Sequence, residues 1–311
     1  MSVHSRAFSS EDDYSRMRWL VAEHVARNRA LNYATLGDLD WWRFPHDDQG
    51  EITSAHLWFD ETDRLVAFAW PSGDQVDLIT DADHTDLQDE MLTWAEEHRL
   101  RAGGEGDDAP TLTAWAFEQD NGRSTLLAAR GYERTGFVFC HRARRLDTPI
   151  PVPFPNLPAR YTLDQMHDEF IESRAAAQRD AFQSTKMTAT RYRRLKNAPT
   201  YRPDLDLVVR DNDGEVAAFA LVWFDESNRA GTFEPVGTRH AHHRRGLARA
   251  LLFEGMHRLQ ALGATTAFVI SACDGEAANG LYDAANMWIV ARNCAWAKHL
   301  SERAAGYATL R

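Results

Sequence analysis

One order of elements is written twice along this chain, with a proline-rich stretch between the copies. Residues 147–158 read DTPIPVPFPNLP, five prolines among twelve residues. Such a stretch can neither pair in a sheet nor continue a helix. It is therefore expected to link two domains, 1–146 and 159–311. In the first, apolar spacing and turn residues predict a helix over 11–31, strands over 55–59, 65–70 and 76–79, a helix over 87–100, a strand over 111–117, a helix over 121–130 and a strand over 136–142. The glycine- and acid-rich run 103–108 reads as a flexible loop. In the second, a short strand and a helix over 163–182 come first, followed by a helix over 189–197 and strands over 205–210, 216–224 and 231–237. A helix over 246–262, capped by Gly263, a strand over 265–270 and a helix over 276–285 complete the copy. The last helices align, setting Leu127 against Tyr282 and Gly131-Tyr132 against Asn286-Met287. The expected class is α/β (an α+β mixed sheet): two tandem domains, each a mostly antiparallel sheet flanked by helices.

Composition narrows the partners. Hydrophobic residues are 44% and charged residues 26% of the chain, the balance of an ordinary globular protein. A formal net charge of −11 argues against a nucleic-acid partner and favours a cationic or amine one, with solubility as the plain alternative. Cys140, Cys273 and Cys294 show no paired spacing, so no disulfide framework or cysteine zinc site is expected. Their scarcity reads as a reducing compartment, the cytoplasm. The N-terminus lacks the apolar core of a secretory signal and no apolar run is long enough to span a bilayer, so no membrane partner is expected. Nothing in the residues sets an oligomeric state.

The most informative stretch, 234–252, reads EPVGTRHAHHRRGLARALL. A strand ends, a basic loop follows, and an amphipathic helix begins at Gly246. A helix start presents free N–H groups and partial positive charge, which suits a pyrophosphate. Gly246 leaves the backbone approachable, and Arg244 and Arg245 add charge. The nearby His240, His242 and His243 lack a carboxylate or cysteine at ligand spacing, so no metal is expected.

The run His243-Arg244-Arg245-Gly246-Leu247-Ala248 resembles the acetyl-CoA signature of the GNAT superfamily, Gln/Arg-x-x-Gly-x-Gly/Ala, with histidine at its first position. Leu281-Tyr282-x-x-x-Asn286-Met287 resembles that family's Leu-Tyr-x-x-x-Gly-Phe, with Asn286-Met287 in place of Gly-Phe. The resemblance implies a tandem GNAT protein with acetyl-CoA as cosubstrate on His243, Arg244, Arg245, Gly246, Leu247 and Ala248. It also implies a pantetheine arm entering a gap beside the fourth strand, where the Val236 N–H would meet the thioester carbonyl. Tyr282 would protonate the leaving sulfur; its alternative is a packing role. Glu234, in an otherwise apolar strand and next to Pro235, would be the base; its alternatives are a solvated or arginine-paired carboxylate, with His240 as another base. The first copy has three acids in its corresponding loop, 80–86, and Leu127 at the tyrosine position, which makes it a structural or acceptor-shaping domain. The layout is similar to that of the mycothiol synthases. The expected function is acetyl transfer to a small-molecule amine; the alternative is a non-catalytic acyl-CoA sensor or scaffold.

Overall fold

A computed structural model describes residues 3–28, 32–45, 54–103, 110–150 and 157–301. Residues 104–108 of the expected loop and 151–156 of the expected linker lie outside them. Along the chain come β1 (His4–Ala7), α1 (Glu11–Asn28), α2 (Leu36–Arg43), β2 (His56–Phe59), β3 (Leu65–Ser72), β4 (Gln75–Thr80), α3 (Gln88–Ala102), β5 (Thr111–Phe117), α4 (Asn121–Ala129) and β6 (Glu133–Arg145). Then follow β7 (Thr162–Gln165), α5 (Ile171–Phe182), α6 (Ala189–Leu195), β8 (Asp206–Arg210), β9 (Val216–Asp225), β10 (Ala230–Thr238), α7 (Leu247–Ala261), β11 (Thr266–Ala272), α8 (Glu276–Ala284) and β12 (Trp288–His299). The fold is a mixed α/β one with largely antiparallel sheets flanked by helices.

Two compact units emerge, and neither is one continuous stretch. The first gathers Met1–Tyr33, Asp48–Phe139 and Ala291–Arg311; the second gathers Ala34–Asp47 and Cys140–Val290. In the first, strands run β1-β2-β3-β4-β5-β12, and β12 joins by antiparallel pairing of Asn293–His299 with β5. In the second they run β6-β11-β10-β9-β8-β7. Strand β9 is buried along its whole length because helices cover both of its faces. Ala218, Ala220, Val222 and Phe224 pack with Leu251, Met256 and Leu259 of α7. Phe219, Leu221 and Trp223 alternate to the other face and pack with Ile171, Ala175 and Tyr192 of α5 and α6. Trp41 and Phe44, from and just after α2, press on that second core.

Several expectations need correction. The short strand expected at the start of the second copy is present but takes in residues assigned to the helix: β7 (Thr162–Gln165) pairs antiparallel with β8, a short 3₁₀ turn spans Asp168–Phe170, and α5 begins only at Ile171. Elements β1, α2 and β12 were not foreseen. The cysteine reading also fails, because Cys140 on β6 and Cys273 just after β11 are joined in a disulfide, with Cα atoms 5.1 Å apart. These are neighbouring strands, so the fold supplies a proximity that sequence spacing could not show. With two of three cysteines paired, cysteine scarcity no longer argues for a reducing compartment. No described helix is long and apolar enough to cross a membrane.

Candidate active site

The site begins where two parallel strands part. Ala230–Phe233 of β10 lies in register with Thr266–Val269 of β11, and there the pairing ends, although both strands continue. On its other side β10 pairs with β9, and the register shifts between Phe233 and Val236. Glu234-Pro235, joined by a cis peptide, occupies that irregularity. Proline has no N–H to donate, so the ladder is interrupted at this point. Val236 comes next, half-buried and packed against the α7-side core.

Alternation along β10 sends Phe233 into the α7-side core and Glu234 to the opposite face, toward α2. There its carboxyl group hydrogen-bonds that of Asp38. Asp38 is 4% exposed and is the N3 residue of a capping box: Thr35 donates both its N–H (2.6 Å) and its hydroxyl (2.8 Å) to Asp38 Oδ2. Those donors favour the charged form of Asp38, so the shared proton resides on Glu234, which donates to it. Burial, and then the charge of Asp38, raise the Glu234 carboxyl well above the usual carboxylate range. Burial also raises Asp38, against the opposing hydrogen bonds from Glu234 and Thr35.

The backbone holds this pair in place. Trp223 of β9 donates its indole N–H to the Glu234 carbonyl at 2.7 Å. Gly37 lies directly beneath that indole, where a Cβ would come within 2.6 Å of Trp223 Cβ and Cγ. Only glycine lets α2 approach closely enough for Asp38 to reach Glu234. Asp40, further along α2, accepts from the N–H of Thr200 at 2.9 Å and from its hydroxyl.

Tyr282, 6% exposed on α8, stands within electrostatic reach. Burial first, and then Glu234, push its hydroxyl up to about 12, with Arg142 opposing. It is therefore a neutral O–H donor at physiological pH. Arg142 fixes α8 by donating to Asp283 Oδ1 (2.6 Å), the Met287 carbonyl (3.0 Å) and Asn279 Oδ1 (3.0 Å). The Asn286-Met287 departure keeps both local jobs of Gly-Phe. Asn286 adopts a φ of 54°, a left-handed conformation asparagine tolerates, and Met287 is fully buried in the core.

The basic loop ends at α7. Gly246 is its N-cap, with a φ of 78° and no side-chain cap, so the first-turn N–H groups remain available to an anion. A Cβ at Gly246 would meet no protein atom within 4 Å, and its backbone angle is one that glycine adopts without strain. Arg244 and Arg245 are exposed. Leu247 sends its side chain into the core, leaving only its backbone for a ligand, and Ala248 is half-buried. His243 donates from Nε2 to the Thr238 carbonyl at 2.9 Å, tying the loop to the end of β10. The other histidines have separate tasks: His240 donates its N–H to Asp180 at 2.7 Å, and His242 Nδ1 meets the Tyr161 hydroxyl at 2.8 Å. Residues 243–248 thus fit a pyrophosphate through backbone N–H groups and two arginines.

The corresponding loop of the first unit is built differently. Asp81 caps a 3₁₀ turn, is 4% exposed, and pairs with Arg27 at 3.0 Å and with Arg64. Leu127 is fully buried. Asp38 is the site residue that sequence reasoning missed; Thr35-x-x-Asp38 was a legible helix start, but its meeting with Glu234 was not.

Residues 164–286 match the model of the Acetyltransferase (GNAT) family. The tandem GNAT protein from the clavulanic acid biosynthesis pathway superposes with a TM-score of 0.72 at 17% identity, over 96% of this chain and 99% of that one. A GCN5-related N-acetyltransferase from Sphaerobacter thermophilus superposes with a TM-score of 0.68 at 20% identity, over 96% of both chains. Saccharomyces cerevisiae N-myristoyltransferase gives 0.58 at 12% identity, over 96% of this chain and 79% of that one. At these identities the likeness is one of fold. No curated protein matches the chain in sequence.

Proposed function

We propose that this tandem GNAT protein, whose residues 164–286 carry the family match, transfers an acetyl group from acetyl-CoA to the amine of a small molecule, using the site in its second unit. The observation that carries the proposal is the Asp38–Glu234 carboxyl pair at the strand opening, with the Tyr282 hydroxyl in electrostatic reach. Residues 243–248 would hold the pyrophosphate, and the Val236 N–H would meet the thioester carbonyl.

The reaction needs a neutral amine, a polarised carbonyl and a protonated leaving thiolate. In its ionised form Glu234 takes a proton from the ammonium. The nitrogen lone pair forms the new bond to the acyl carbon, the carbon–sulfur bond breaks, and the sulfur receives the Tyr282 hydroxyl proton; the second proton that the nitrogen sheds as the amide forms restores the Tyr282 hydroxyl. A base with a raised pKa is the better match for proton transfer near neutral pH. A buried tyrosine kept neutral retains the proton it must deliver. The departures at His243, Asn286 and Met287 had favoured a non-catalytic sensor; each keeps a defined local role, which supports the catalytic reading. Release of free CoA on mixing the protein with acetyl-CoA and a panel of amines tests the proposal, with Tyr282→Phe as the control that should sharply lower it.

A further inference from the structure

A groove encloses about 210 Å³ on the α2 side of the second unit. Its apolar walls are Trp41, Phe182 and Met187, and its charged rim is Arg179, Lys186 and Arg191. Trp41 sits three residues beyond Asp38 on α2, and residues at that spacing share a helix face with Cβ atoms about 5–6 Å apart. Helices α2 and α5 both pack on β9 and β10, the strands that carry Trp223 and Glu234. Trp41, one wall of the groove, thus lies one helical turn from Asp38.

Its charge is the reverse of the chain's. Among the described residues no carboxylate lines it, although the protein carries a formal net charge of −11. Asp180, next in sequence to Arg179, accepts from the His240 N–H instead. Arg179 donates to the Met187 carbonyl at 2.8 Å and Arg191 to the Lys186 carbonyl at 3.0 Å, so both guanidinium groups are fixed against one short loop. One N–H of Arg179 is used in that bond, and a guanidinium has five. Phe182, at the end of α5, leaves 49% of its surface exposed, an aromatic face open to a ligand.

We propose that this groove binds the acceptor, and that the acceptor is an amine with an apolar or aromatic body and a carboxylate at its far end. This rests on the acyltransferase reading and adds the substrate class. The amine end lies toward Asp38 and Glu234, where negative charge draws in an ammonium. The body lies along Trp41 and Phe182. The carboxylate meets arginine forks, whose planar geometry suits it.

The test uses two probes that share a ring and an amine, 4-(aminomethyl)benzoate and 4-(aminomethyl)benzamide. Each is titrated calorimetrically into the full chain saturated with CoA, and acetyl-CoA affinity is measured separately for every variant. The benzoate should bind about tenfold more tightly or better. Lys186→Glu and, independently, Arg191→Gln should each cut that preference to about twofold or less while acetyl-CoA affinity is retained. Equal binding of the two probes, preference for the amide, or no benzoate binding with acetyl-CoA binding intact would overturn the groove alone. Failure of the wild-type chain to bind acetyl-CoA would instead overturn the acyltransferase reading beneath it.

Discussion

Asp38 accepts the carboxyl proton of Glu234, although the two residues come from opposite halves of the sequence. Helix α2 thereby makes a segment from the first half part of the second unit's site. The negative charge of Asp38 is one of the causes that raise Glu234, so removing it has a definite sign. In Asp38→Asn the acid limb of the pH–rate profile should move to lower pH. Burial remains as the larger cause, so the limb should stay above the usual carboxylate range. An unmoved limb would separate Asp38 from the base.

The same shift predicts a stability effect. A carboxyl whose folded-state pKa is raised favours folding in its protonated form. That contribution is present below the ordinary pKa and is lost as pH rises through the folded value. Glu234→Gln, which resembles the protonated side chain, should therefore gain stability over the wild type as pH rises through the raised pKa and show no such gain at low pH. Denaturant melts at a series of pH values would read this; a pH-independent difference would contradict it.

Gly37→Ala tests the close approach of α2. Its Cβ would press on the Trp223 indole, and overpacking of this kind costs about 1–3 kcal/mol. Turnover should fall with stability because the pair is displaced, while acetyl-CoA affinity should stay near wild type. Equal loss of acetyl-CoA binding would mean that the damage is general.

Gly246→Ala separates backbone angle from space. Alanine must adopt a φ near 78°, at a cost of about 1–2 kcal/mol, although nothing obstructs its Cβ. Acetyl-CoA should bind more weakly as the loop relaxes toward negative φ. Unchanged affinity would show that the loop conformation is not needed for the nucleotide.

Breaking the Cys140–Cys273 link with Cys273→Ser should lower stability by about 2–4 kcal/mol, read by denaturant melts, because the cross-link restricts the unfolded chain.

Most of the repeated order was legible because its periodicities are local. Thr111–Phe117 and Asn121–Ala129 stand where alternation and helical spacing put them, and β8 and β9 pair as a hairpin close to the bounds expected for the two strands. Gly263 follows α7 with a φ of 83°. What escaped depends on tertiary partners. The extent of β7 is set by β8 beside it, and β12 pairs with β5 from the far end of the chain. Glu234 stood out as a charge in an apolar strand, and Tyr282 by its place in a motif. Asp38 carried only a capping-box signal, and the groove that includes Trp41 and Phe182 joins residues from separated helices.

The most direct measurement is turnover by the wild type, Glu234→Gln and Tyr282→Phe, read as release of free CoA beside calorimetric acetyl-CoA affinity. Both substitutions should lower turnover by about 10²–10⁴-fold while acetyl-CoA affinity changes by less than about twofold. Wild-type rates in either variant, or a wild-type chain that does not bind acetyl-CoA at about millimolar concentration, would contradict the account.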